Sequence, residues 1–431
     1  MSYTKQTWAN GDIITAAKLN HMEDGIAGVE ADVSSLNTQL LASMPHDTAS
    51  GSIASFPDGA AMPIRDLSVD IEPVQAGSGD PSPDNVRPIS GWTEAKVTRT
   101  GKNLLPTGLS AAATGNATVT PTQSGGYVLS ATANSSWLWA RINTILARPL
   151  AGKRVVFSFN IEIDHDQNPQ TIFSLRKADG TVIISKTASY SQDRNLYIDI
   201  PADVEADSYL AMTLYVTTST SVQVGWKTTY TDLQMEIVDS SVTTPTSYES
   251  YQGQTYTIDL DGTRYGGTLD VTSGKLTITH NGVSVTGANV ANVYSSPLPY
   301  VTVNVAGVAT SLITDTTGGA ISDTLTLYRY TSASGHENTF YFNNGVMYIR
   351  EPTFIDTTDK NSAISSLNNS PVFVVYPLAT PIEVDLTPTE ITTLLGTNNI
   401  WADAGDTTVD YYADTTLFVN KKIAAAVASL S

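Results

Sequence analysis

Apolar residues near the N-terminus recur at alternating spacings of three and four: Leu19, Met22, Ile26, Val29, Val33, Leu36 and Leu40. This is the heptad rhythm of a narrow helical seam, which buries little within one helix and needs partner helices. The spacing predicts a helix from an N-cap at Thr15 to about Ser43, stopped by Met44-Pro45 because proline disfavours helix at the preceding residue. About 28 such residues would span roughly 40 Å. With Leu19, Ile26, Val33 and Leu40 at a and Met22, Val29 and Leu36 at d, parallel packing pairs Lys18 with Glu23 of a neighbour. Antiparallel packing would bring Glu23 against Glu30, so parallel chains are favoured. The core mixes branched and unbranched residues and leaves dimer or trimer open.

After this segment the period changes from 3.5 to two. In VVFSFNIEI, Val155, Phe157, Phe159, Ile161 and Ile163 fall on one face, and Val156, Ser158, Asn160 and Glu162 on the other. Similar runs (GYVLSA, SWLWARI, TIFSLRK, TVIISKT, NLYIDI, YLAMTLYV, SVQVGW, TDLQMEIV) recur with turn residues between them, which predicts an antiparallel sandwich. Further strand patterns lie before and after it, from LSVDIEPV at Leu67 to TTVDYYAD near the C-terminus. Short helices are expected at 360–368, capped by Thr358 or Asp359, at Thr389–Leu395 ended by Gly396, and over 415–430. The fold class is therefore mainly β: an N-terminal parallel coiled coil, antiparallel β-sandwich domains and a short C-terminal helix. Residues 1–44 form the helical segment and 45–66 a small, polar linker. A β-segment at 67–100 is expected to pair with 251–285 and 371–414. Residues 101–250 form the clearest domain, 251–414 a C-terminal β-region and 415–431 the last helix.

Composition narrows the function classes. Of 431 residues, 41% are hydrophobic, enough for real cores, and only 15% are charged. The net charge of −19 disfavours nucleic acid and anionic lipid as partners. The absence of cysteine excludes disulfides, thiolate metal sites and cysteine catalysis. The N-terminal MSYTKQTWANGD lacks a signal-peptide core, and no apolar run reaches membrane-spanning length, so synthesis in a cytoplasm without membrane insertion is expected.

The segment WANGDIITAAKLNHMEDGI, Trp8 to Ile26, resembles the attachment segment of phage head-fibre and tail-fibre proteins, with Trp8, Gly11, Asp12, Ile14, Thr15, Leu19, Asn20, Glu23 and Gly25 matching its pattern. PVQAGSGDPSPDNVRPISGW at Pro73–Trp92 and GTNNIWADAGDTTVDY at Gly396–Tyr411 resemble stretches of fibre-like proteins from phages of Gram-positive bacteria. The middle domain is similar to carbohydrate-binding jelly rolls. It opens with GKNLLP at Gly101–Pro106 and closes with DLQMEIVDSSVTTPTSYESY at Asp232–Tyr251, which lacks the usual Gly and carries Glu249-Ser250 in place of Glu-Pro. The resemblance implies a virion-attached homotrimer, anchored to capsid or tail proteins through Trp8, Gly11 and Asp12 and contacting host-surface glycans.

Candidate chemistry is sparse. Trp137 and Trp139 alternate along one strand pattern and Trp226 lies in a later one; aromatic rings stack on sugar faces, and they equally fill sandwich cores. Asp164, Asp166 and Asn168 have a spacing that can wrap calcium, and related sugar-binding jelly rolls carry such an ion. Pro169 and the lack of a later bidentate Glu favour a solvated loop instead. Glu162, Asp164, Glu205 and Glu236 could supply a glycosidase pair only if two of them met roughly 5–10 Å apart. The five histidines form no metal-binding spacing, and no nucleophile or phosphate-binding motif occurs. The expected protein is a non-enzymatic virion fibre that binds glycans multivalently. Its rivals are a capsid decoration protein without a host ligand and a tail-associated glycan depolymerase.

Overall fold

A computed structural model describes residues 46–413 except 57–62, 123–124, 135, 191–194, 206, 218–221, 243, 296–298, 317, 330–336, 393 and 395, with Asn20 and Met44 described singly. At 145, 146 and 148 only the backbone is described. The heptad seam, the anchoring residues Trp8, Gly11 and Asp12, and the helix expected over 415–430 lie outside the described residues. Within them the chain is mainly β, built around three separate apolar cores.

The alternation at 154–163 produces the middle core. Strand Arg154–Ile163 lies between Asn195–Asp199 and Lys227–Val238 in a sheet completed by Tyr127–Ala131 and Ala117–Pro121. A second five-stranded sheet runs Val182–Ser189, Gln170–Arg176, Tyr209–Thr217, Leu138–Leu146, Ala111–Ala113. Val155, Phe157, Phe159 and Ile161 meet Phe173, Leu175, Leu210, Met212 and Leu214 between the sheets. Tyr230 crosses this core. Its hydroxyl donates to the carbonyl of Tyr215 at 2.9 Å and accepts from the Tyr215 amide at 3.1 Å, tying one sheet to the backbone of the other. The SVQVGW pattern does not become a strand; Gln223–Trp226 is a turn with Gly225 at φ +91°.

Val156, expected on the wet face, is fully buried, as are its neighbours there, Gln234 and Glu236. The cause is the domain's closing segment, which folds over that face. Glu236 accepts from the Thr246 amide at 2.7 Å and the Thr246 hydroxyl at 2.9 Å, and Gln234 accepts from the Glu249 amide at 2.8 Å. Asn103 of the opening GKNLLP joins the same network: its amide donates to the carbonyls of Leu233 and Glu249, and its oxygen accepts from Leu105 and Met235. The motifs at the two ends of this region are therefore one buried hydrogen-bonded latch.

The flanking segments build the second core. Strand Ile64–Ile71 pairs with Gly267–Asp270 on one side and Thr407–Tyr412 on the other. Trp92–Thr100 pairs with Gly253–Arg264 and Asn398–Ala402. Leu67, Val69, Val97, Leu260, Leu269, Leu276 and Tyr411 pack between the resulting seven- and four-stranded sheets. Within the stretch read as a linker, His46–Gly51 and Ala54–Phe56 form strands against Thr407–Tyr412 and Asn398–Ala402. Their small, polar composition hid this, because few large apolar side chains mark these strands, Phe56 the largest of those that face inward. The loop after Val74–Gln75 wraps Arg87, whose guanidinium donates to the carbonyls of Ala76, Gly77 and Gly79.

The third core lies under the sheet Val290–Tyr294, Tyr300–Asn304, Val346–Arg350, Thr339–Asn343, Thr326–Leu327, whose last pairing is parallel. The helix Lys360–Asn369 covers it through Ala363 and Leu367, and Asp359 caps it by accepting from the amides of Asn361 and Ser362. The helix expected at Thr389–Leu395 is absent among the described residues there. The Asn398 side chain instead accepts from the Leu394 amide and donates to the carbonyls of Leu394 and Gly396, competing with helical pairing.

Candidate functional site

The outward face of the sheet holding Leu138–Leu146 assembles the most ligand-like surface. Leu138, Ala140 and Ile142 point into the core, so strand alternation turns Trp139 and Arg141 outward. Across the strand pair, Tyr215 stands opposite Trp139, and Thr213 opposite Arg141. Thr213 in turn faces Ile172, and Tyr209 faces Arg176. Trp139, Arg141 and Tyr215 are half-buried, while Thr213, Ser174 and Arg176 lie deeper. The Arg141 guanidinium sits 5.2 Å from the Trp139 ring centroid, a cation–π contact that orients both. Arg176 donates through Nε to Ser174 Oγ at 2.9 Å and through Nη1 to the Gly180 carbonyl at 2.8 Å. Burial, and then the charge of Arg141, push the Arg176 guanidinium below its ordinary pKa. Burial raises the Tyr215 phenol, and both arginines draw it back down.

The three tryptophans do not form one platform. Trp137 precedes the strand at φ 56° and is half exposed, and the register is irregular between Leu138 and Trp139. Trp226 belongs to the turn before the other sheet, packs against the core and stacks on His165 at 4.8 Å. Sequence reading missed Arg141, Thr213, Tyr215 and Arg176. Arg141 was legible as the i+2 neighbour of Trp139, but the others reach it only through strand pairing.

Asp164, Asp166 and Asn168 occupy the loop between Arg154–Ile163 and Gln170–Arg176. The Asp164 carboxylate accepts from the Lys227 amide at 2.7 Å, and Asp166 accepts from its neighbour Gln167. No group of three or more His, Cys, Asp or Glu placed to hold a metal occurs among the described residues. Two of the candidate acids, Glu162 and Glu236, lie far apart. Glu236 pairs with Val156, six positions along the strand from Glu162, or about 20 Å. Glu205 is ion-paired with Lys177 at 2.7 Å.

A second aromatic surface lies outside the third core. Tyr294 stacks on Tyr300 at 4.3 Å, Tyr341 on Tyr348 at 4.9 Å, and Arg350 sits 4.6 Å above Tyr300. These rings largely cover one another, and Tyr294 alone among them is strongly exposed.

No protein-family model and no curated protein matches the chain. Solved structures similar to parts of it include accessory secretory protein 1,2 and 3 of Streptococcus pneumoniae, at 10% identity and TM-score 0.20 over 32% of this chain and 96% of that one. A CBM4 carbohydrate-binding module is 11% identical over 28% of this chain and 78% of its own, at TM-score 0.21. An arabinose-bound α-L-arabinofuranosidase is 9% identical over 32% of this chain and only 26% of the enzyme, at TM-score 0.22. At these scores no functional argument rests on the likenesses.

Proposed function

We propose that this chain is a glycan-binding, non-cleaving component of a virion fibre, carried on a homotrimeric stalk and joined to capsid or tail proteins by its N-terminal segment. The observation that carries the binding reading is the Trp139–Tyr215 pair. Two half-buried aromatic residues stand opposite each other on paired strands, with guanidinium and hydroxyl groups at their flank. Flat aromatic surface suits the apolar face of a sugar ring, and neighbouring polar groups fix its orientation. Glu162 and Glu236 are too far apart to act as a hydrolytic pair. The fibre part of the reading is supported by the heptad seam and by the Trp8–Ile26 resemblance.

A glycan array combined with a reducing-sugar release assay tests the proposal. Binding without release is expected. Trp139→Ala should abolish binding and leave the melting temperature nearly unchanged, because Trp139 faces away from the core. Release of sugar would overturn the non-cleaving assignment, and unfolding of the variant would assign Trp139 to the core.

A further inference from the structure

A second property of the same face concerns charge. The chain carries 42 acidic residues. Yet the five strands of this sheet, Ala111–Ala113, Leu138–Leu146, Gln170–Arg176, Val182–Ser189 and Tyr209–Thr217, contain no Asp or Glu, while they hold Arg141, Arg176 and Lys186. The opposing sheet of the same sandwich carries Glu162, Asp199, Asp232 and Glu236. Neither Arg141 nor Arg176 has a carboxylate partner among the described residues. Two carboxylates near this face are engaged elsewhere, Glu205 with Lys177 and Asp179 with the Thr181 amide.

The two arginines lie on the same face, and the charge of Arg141 is felt at Arg176. Arg176 stands four positions from Ile172, which shares a row with Thr213 and Arg141; its Nε donates to Ser174 Oγ, two positions nearer that row, while its Nη1 donates to the Gly180 carbonyl. Arg141 Nε and Thr213 Oγ1, on residues directly across from each other, are buried and have no hydrogen-bond partner among the described residues. Two unneutralised guanidiniums and a spare hydroxyl beside aromatic rings match a sugar that carries an anionic group, since the guanidinium fork pairs with carboxylate or phosphate in two parallel bonds.

We propose, resting on the glycan-binding reading, that this face selects acidic glycans: Arg141, assisted by Arg176 and Thr213, holds the carboxylate or phosphate of a sugar whose ring lies against Trp139 and Tyr215. An overall acidic chain then excludes most polyanions by long-range repulsion and admits one only where these cations meet it.

Isothermal titration of the full chain with polygalacturonate, poly(glycerol phosphate) and neutral dextran tests this. One acidic polymer should bind at least about tenfold more tightly than dextran, with affinity falling as salt rises. Arg141→Gln should lose about tenfold for that polymer, and Arg141→Lys, which keeps the charge but not the fork, several-fold. Which polymer binds distinguishes a carboxylate from a phosphate group. Should Arg141→Gln fail to fold, the salt dependence and Arg141→Lys carry the test. If a neutral glycan binds as tightly as the acidic polymers and Arg141→Lys is silent, the acidic selection falls while glycan binding stands. If neither these polymers nor any glycan on the array binds, both fall.

Discussion

Tyr230 illustrates how one side chain can serve a core and a site together. Its ring fills the space beside Phe159, while its hydroxyl holds both backbone groups of Tyr215, the residue paired with Trp139. Burial raises its phenol well above the ordinary value, so it stays neutral and can both donate and accept. Tyr230→Phe keeps the ring and leaves the Tyr215 backbone groups without that partner. It should destabilise the middle sandwich by about 2 kcal/mol and weaken binding at Trp139, measured by denaturant unfolding and by titration. Arg87 and Asn103 act at the same scale. Each organises a loop or seam by binding several backbone groups at once.

Among the elements, the helix Lys360–Asn369 was the most legible, because its cap is local: Asp359 binds amides two and three residues on. Those bonds hold the Asp359 carboxyl below the usual carboxylate range. A lowered folded-state pKa gives stability that is present above the unfolded value, near about 4, and is lost as pH falls through the folded one. Melting followed down an acid series should show this contribution fade, and Asp359→Asn should remove that part of the pH dependence; an unchanged profile would show the cap to be inert. The latch formed by Gln234, Glu236, Thr246 and Glu249 was half legible. Its motif marked the end of a domain, but its covering of Val156 depends on where the closing segment lands. Glu236→Ala should leave the Thr246 amide and hydroxyl without their acceptor, destabilise the sandwich by roughly 3 kcal/mol and expose residues 239–250 to limited proteolysis. The failed helix at Thr389–Leu395 teaches the converse. Asn398 lies beyond the window that sets propensity, and its side chain takes the Leu394 amide, which a helix would have used.

For the whole molecule, the proposed function depends on the number of binding faces held together. Three copies on one stalk, as proposed, would raise apparent affinity through effective concentration, without new contacts. Ile26→Asp combined with Val33→Asp puts charge into the heptad seam. It should convert a trimer to a monomer in analytical ultracentrifugation and reduce binding to a glycan-coated surface by about 10²-fold or more, with binding to a soluble single-site glycan unchanged. A wild-type chain that sediments as a monomer would remove the multivalent part of the proposal.

Period-two alternation and turn residues determined by themselves that this chain is mainly β, because side-chain direction along a strand is a local property. They also placed most strands of the middle sandwich and the capped helix at Lys360. Only the tertiary structure decided the registers in which strands meet, and that Arg141 and Arg176 share a face with Trp139 while Trp226 does not. Pairing between distant strands is set by backbone hydrogen bonds and by the cores they enclose, and neither leaves a periodic trace in the sequence.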